Sequence, residues 1–217
     1  MHESMQTNGG PKVDLYFHVQ GDGLPVDHGY ALYAAISRVL PADNGGESWI
    51  HRSHTVGLIP VRGRYMGKGR LKLGRVARFG LRLAAADIPK VLPLAGQRLE
   101  VHGDLLRVGV STTHALVPSV ALYAHLVTTR NGQDETRFDC EAQRQLETLE
   151  VQGRMHRGPR RIITIKDKRV VAHSLLVTEL TAEESIRLQE HGLGGRRKMG
   201  CGVFVPVQRQ QGRKDET

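Results

Sequence analysis

Cysteine is almost absent: Cys140 and Cys201 are the two in 217 residues, and they form no Cys-x-x-Cys pair. Neither a disulfide framework nor a cysteine zinc site is expected, and a reducing cytoplasm is the default compartment. Long apolar runs are missing too. No stretch approaches the roughly 20 residues that cross a bilayer, and the opening Met1 to Pro11 is polar, unlike a signal peptide. Aromatic residues make up 5% of the chain, which argues against a surface that stacks successive nucleic-acid bases. Acid is the other shortage: 22 Asp and Glu face 31 Lys and Arg, for a net charge of +9. Such an excess points to an acidic partner, nucleic acid first and an anionic membrane surface second. What remains is enough to fold, since 39% of the residues are hydrophobic and can bury a core as one large domain or two small ones.

Glycine is plentiful, and one cluster of it organises the chain. Gly192-Leu193-Gly194-Gly195-Arg196-Arg197-Lys198-Met199-Gly200-Cys201-Gly202 sets two Gly-apolar-Gly triplets around five residues, three of them basic. The apolar Val203-Phe204-Val205-Pro206-Val207 follows. Glycines let a backbone approach a bulky partner and adopt positive φ, and cations beside bare N–H groups suit phosphate. The loop is therefore expected to hold an anionic polymer through Gly192, Gly194, Gly195, Arg196, Arg197, Lys198, Gly200 and Gly202. A Walker loop is excluded because Met199, not Ser or Thr, follows Lys198. A dinucleotide fingerprint would want glycine at Arg197 and a strand before the loop, whereas a helix precedes it here.

The pattern resembles the glycine-rich loop of the CRISPR-associated RAMP proteins. Leu180 to Val207, with Asp27-His28-Gly29-Tyr30-Ala31-Leu32-Tyr33, is similar to the Myxan subtype of the repeat-processing endoribonuclease, the sixth Cas family. The resemblance covers about Val13 to Val207. It implies tandem ferredoxin-like (RRM-like) domains and CRISPR repeat RNA or mature guide RNA as partner, with other Cas proteins of a type I interference complex as neighbours. It also implies a reaction without metal or cofactor, in which the ribose 2′-hydroxyl attacks the adjacent phosphate. The products are a 2′,3′-cyclic phosphate and a 5′-hydroxyl.

Periodicity gives the same class, α+β. Val13-Asp14-Leu15-Tyr16-Phe17-His18-Val19 alternates like a strand, Gly21 to Pro25 is a turn cluster, and Asp27 is expected to cap a helix from about Gly29 to Val39. Pro41 and Asn44-Gly45-Gly46 end it. Thr55 to Arg62 and Leu71 to Leu83 read as a strand pair around Gly63 to Gly69. A short helix, Ala85 to Leu92, and strands within Leu99 to Val110 follow. The order then repeats: strand Val120 to Thr129, acidic helix Glu135 to Leu149, and a hairpin of Arg161 to Ile165 with Val170 to Thr178. A helix opened by the capping box Thr181-Ala182-Glu183-Glu184 leads into the loop and the strand Val203 to Val207. Strand, helix, strand, strand, helix, strand is the ferredoxin-like plan. The expected division is a disordered leader 1–11, a first domain 12–112, a second 113–208 with the glycine loop 192–202, and a disordered tail 209–217.

Positive charge is segregated. Arg62, Arg64, Lys68, Arg70, Lys72, Arg75, Arg78 and Arg82 fall in a stretch without acid, and Arg154, Arg157, Arg160, Arg161, Lys166, Lys168 and Arg169 in one whose only acid is Asp167. The acid collects between Asp134 and Glu150. These runs are an electrostatic footprint suited to the backbone and shape of a short RNA hairpin. Arg62, Arg64, Lys68, Arg70, Arg154, Arg157, Arg160, Arg161, Lys166 and Lys168 are the expected contacts.

Cleavage would need a base, a stabiliser of the phosphorane charge and an acid for the leaving oxygen. Histidine suits the first and last roles, lysine or arginine the second. By resemblance the histidine lies near the end of the first helix or just after it, which makes His51 the first candidate and His54 its competitor. His28 is a third, set over the apolar stripe Leu32, Ile36 and Val39 at a helix start, where the dipole lowers a histidine pKa. Tyr33, by resemblance, supplies a catalytic hydroxyl, or else is a packed tyrosine. His51-Arg52-Ser53-His54 is no zinc signature, and no metal ligand set is expected. A non-catalytic subunit that holds the hairpin of a guide RNA would share the loop and the basic runs.

Overall fold

The computed structural model describes residues 10–42, 46 and 48–207. The tail 209–217, most of the leader, and Asn44, Gly45 and Glu47 lie outside this set. In the first half the chain forms β1 (Lys12–Gln20), β2 (Gly23–Pro25), α1 (Gly29–Val39), α2 (Trp49–Arg52), β3 (Gly57–Ile59), β4 (Arg64–Tyr65) and β5 (Arg70–Lys72). It continues through β6 (Arg78–Ala84), α3 (Ile88–Val91), β7 (Arg98–Val101) and β8 (Asp104–Ala115). Period-2 alternation in β1 sends Leu15, Phe17 and Val19 into the core and leaves Asp14, Tyr16 and His18 on the opposite face. Phe17 stacks on Phe79 of β6 at 5.3 Å between centroids, and Leu32 and Ile36 of α1 pack into the same core. The antiparallel order β3-β6-β1-β8-β7 is the ferredoxin-like arrangement with β7 added at one edge.

Several expectations change here. Gly23–Pro25 is a strand, not only a turn, and it joins β4 and β5 in a separate three-stranded sheet, so Leu71 to Leu83 is two strands with a turn at Gly74. Asp27 does not cap α1. His28 holds the cap position, and the Asp27 carboxylate accepts the Thr164 N–H at 2.6 Å. β8 runs to Ala115, past the expected division at 112/113.

The second half contains β9 (Ala121–Val127), α4 (Glu135–Thr148), β10 (Arg154–Ile165), β11 (Lys168–Thr178), α5 (Ala182–His191) and β12 (Val205–Pro206) in the order β10-β11-β9-β12. Asp134 caps α4 by accepting from the Arg137 N–H, and Phe138, Ala142 and Leu146, at i, i+4 and i+8, form its buried face. The capping box forms as expected: Thr181 Oγ1 accepts from Glu184 N–H, and Glu184 Oε2 accepts from Thr181 N–H. β10 begins earlier than expected, so its arginines lie along a strand, with a register shift between Arg157 and Arg160 where Pro159 has no N–H to give. The last strand shrinks to Val205–Pro206.

The halves meet at the end of α5. A helix terminates in carbonyls without intrahelical partners, and here cations from three segments take them. Arg82 Nη1 donates to Gln189 O at 2.8 Å, while Lys12 Nζ and Arg197 Nη2 donate to Glu190 O at 2.5 and 2.9 Å. Arg82 also donates to Phe204 O at 2.6 Å and holds Asp14 in a bidentate pair at 2.7 and 2.8 Å. Asp14 and Arg82 are register partners across β1 and β6. Arg82 is therefore removed from the expected basic footprint: at 0% exposure it is a fully buried strut.

Candidate active site and nucleic-acid interface

Tyr33 lies in the second turn of α1, on the face that closes over the core, and is 6% exposed. Its hydroxyl reaches the Nδ1 of His51 at 2.6 Å, with the rings edge-on at 79°. α2 presents His51 because Trp49 and Ile50 bury themselves as its anchor and turn His51 and Arg52 to solvent. An imidazole pinned through Nδ1 leaves Nε2 directed outward. If Nδ1–H donates to the phenol, Nε2 is a lone pair ready to take a proton; if the phenol donates, Nε2 carries one. The pair thus supports both halves of a proton-transfer cycle. From the far end of the chain, Lys198 Nζ donates to His51 O at 2.5 Å, and burial lowers the lysine pKa. In the sequence His51 and Tyr33 stand as separate candidates, and Lys198 only as a basic residue of the loop. A contact between residues 147 positions apart leaves no local signal.

The glycine loop delivers Lys198. α5 stops at Gly192, φ 65°, and the loop closes when Leu193 N–H donates to Gly202 O at 3.2 Å. Gly192 and Gly202 face one another so closely that a Cβ on either would strike the backbone carbonyl of its opposite arm. Cβ atoms at Gly194 and Gly200 would strike Thr128 O and the Pro60 ring. The expected close approach is thus made by the protein to itself: Gly192, Gly200 and Gly202 are buried, and only Gly195 of the set looks onto open space. Arg196 is exposed, but Arg197 is half-buried and turned inward to Glu190 O. Met199 packs against the first core, and this seats the loop beside α1.

The Cas6 Crispr family model matches residues 13–209. The chain belongs to the Cas6 family. This Cas6 chain is 42% identical over 194 residues to the CRISPR-associated endonuclease Cas6 of Myxococcus xanthus (strain DK1622), covering 89% of this chain and 81% of that protein. Among solved structures, its fold is similar to a CRISPR associated protein Cas6, with TM-score 0.65 and 13% identity over 91% of this chain and 100% of that one. It is also similar to the product of a Cas6-related gene from Pyrococcus furiosus, with TM-score 0.66 and 13% identity over 92% and 100%. A third neighbour, an RAMP protein binding different RNA substrates, has TM-score 0.66 and 12% identity over 90% and 100%. At these identities the structures speak for the fold, and they bear out the tandem ferredoxin-like plan.

The remaining candidates of the Cas6 chain separate by burial. His28 is 2% exposed, with Nδ1 2.7 Å from Pro25 O. Its pKa is lowered by burial rather than, as expected, by the helix end. It lines a cleft of about 760 Å³ between the halves, together with Arg62, His125 and Arg161, instead of joining Tyr33 and His51. His54 is exposed between α2 and β3. Arg62 just before β4, Arg64 and Lys68 of the β4–β5 hairpin, and Arg154, Arg160, Lys166 and Lys168 of the β10–β11 hairpin are all exposed. Two expected contacts are already engaged: Arg70 is bidentate with Asp104 at 2.7 Å, and Arg157 bridges Glu135 and Asp139 of α4 at 2.8 and 2.9 Å. Arg161 is half-buried. Among the described residues no cluster of His, Cys, Asp and Glu could hold a metal ion, and no helix is long and apolar enough to cross a membrane.

Proposed function

We propose that this Cas6-family chain binds the stem-loop of a CRISPR repeat RNA and cleaves within the repeat to release mature guide RNA. The observation that carries the reading is the Tyr33–His51 hydrogen bond of 2.6 Å with Lys198 on the same histidine's carbonyl. His51 Nε2 takes the proton of the 2′-hydroxyl, Tyr33 fixes the ring through Nδ1, and Lys198 sets a positive charge where the phosphorane gains negative charge. The 2′ oxygen bonds to phosphorus as the bond to the 5′ oxygen breaks. Net, one proton passes from the 2′ to the 5′ oxygen, and imidazole can both take and return it. The ends are a 2′,3′-cyclic phosphate and a 5′-hydroxyl, and no step in this scheme calls on a metal.

The exposed cations of the two hairpins grip the RNA backbone through its charge, and the name of the Myxococcus relative supports the nuclease assignment. The product guide stays bound, and the chain acts in the cytoplasm with other Cas proteins of a type I complex. Single-turnover cleavage of the cognate repeat in EDTA, with binding measured in parallel, tests the reading. Wild type is expected to cut. His51→Ala should lower the rate by at least a hundredfold and Tyr33→Phe less, both with unchanged affinity. Tight binding by wild type without any cutting would replace the nuclease reading with that of a guide-holding subunit.

A further inference from the structure

A second basic groove lies where the face of the first sheet opposite its core meets Val117, Val205 and Pro206, and its lining does not include Tyr33, His51 or Lys198. It encloses about 820 Å³, within the range of sites for ligands of nucleotide size. Tyr16 of β1 forms part of its wall, and its ring lies across Gly80 of β6, where any Cβ would displace it. Arg78 sits over the ring with Cζ 4.3 Å from the centroid, and His114 meets the ring edge-on at 5.4 Å. Arg62, Arg64 and Lys72 complete a lining that contains four cations and no acid. Asp14, on the same face of β1, is taken by Arg82.

We infer that this groove is a stacking site for an unpaired nucleotide in the single-stranded RNA that flanks the hairpin. The inference rests on RNA being the ligand, as proposed above. With Gly80 against the Tyr16 ring and Arg78 over it, the ring seats the guanidinium, and the guanidinium plane carries the unstacked base; a paired base inside an A-form stem has no free face to offer it. The surrounding cations match phosphates of the same strand. The route to the groove is continuous, because Pro60, Arg62 and Val205 also line the interdomain cleft that reaches Met199 and Gly200 of the glycine loop. Aromatic scarcity rules out a platform for many bases; one arginine seated on a tyrosine is enough for one.

The test measures affinity for three RNAs: the repeat hairpin with its single-stranded flanks, the hairpin alone, and an unstructured oligonucleotide of about ten residues. Tyr16→Leu and Arg78→Gln should each weaken the first and third by about 5- to 100-fold and leave the second unchanged. Tyr16→Phe should keep wild-type binding, since seating Arg78 needs the ring and not the hydroxyl. Arg78→Gln should also flatten the salt dependence by about 0.7 in log–log slope, whereas Tyr16→Leu should not. Wild-type affinity of both variants for all three RNAs overturns the inference, and so does equal loss on the hairpin alone, which would mark a general defect. If wild type ignores the hairpin but binds the oligonucleotide through Tyr16, repeat processing falls and the stacking site stands.

Discussion

Replacing Arg82 with methionine keeps much of the side-chain volume and removes the charge at the centre of the junction. Asp14 would then sit in the same buried place without its bidentate partner, and Gln189 O and Phe204 O would lose their donors. Removing one member of a buried pair costs about 3–5 kcal/mol. An independent ceiling on the carboxylate part comes from proton binding. Protonating an ordinary carboxyl at pH 7 costs about 4 kcal/mol, so a buried carboxylate never costs more than that before it takes a proton. Arg82→Met should therefore lose about 3–5 kcal/mol, read as a lower urea midpoint at unchanged m. That is a large part of a typical domain's stability. Adding Asp14→Leu should recover part of it, because an apolar pair in place of an ion pair is often neutral. A loss below about 1 kcal/mol, or a double variant no better than the single, would refute the role assigned to this strut.

Gly202→Ala should cost about 2 kcal/mol or more by denaturation and weaken cleavage, since φ is 67° and the new methyl meets Leu193 O. Lys12, half-buried, has its pKa lowered to about 8, chiefly by burial. The unfolded chain then binds more protons than the folded one between about pH 8 and the ordinary lysine value of 10.5, so stability should rise with pH across that window. Lys12→Gln should abolish this rise, and urea midpoints measured from pH 7.5 to 10.5 decide it. In hairpin binding, Lys166→Gln should lower the log–log salt slope by about 0.9, whereas Arg157→Gln should change it less because Glu135 and Asp139 already neutralise that arginine.

What the sequence made legible is what neighbouring residues decide among themselves. The alternation of residues 13–19 and the Thr181–Glu184 box each depend on residues within a turn or a strand, and each forms in the structure. Element order followed, and with it the fold. Charge counts were less faithful, because a count does not say which cations have found partners: Arg82 is buried, Arg70 and Arg157 are paired, and Arg197 faces a helix end. The glycines showed the same limit. Their spacing marked a loop of close contacts, but whether the close neighbour is a ligand or the chain's own carbonyl depends on how the loop folds back. Asp27 was drawn from its expected cap to Thr164, a strand of the other half. Tyr33 and His51 were each legible as candidates; their meeting with Lys198 was not.

That meeting has a consequence for when the proposed site can exist. His51 is made well before Lys198, and α5 must be seated on Arg82 and Lys12 before the glycine loop can hold the lysine in place. A ribosome still translating β11 carries a chain with a histidine and a tyrosine but without the lysine. Such a nascent chain could touch RNA through its first hairpin, yet would lack the full set of groups assigned to the cut until the glycine loop had been made.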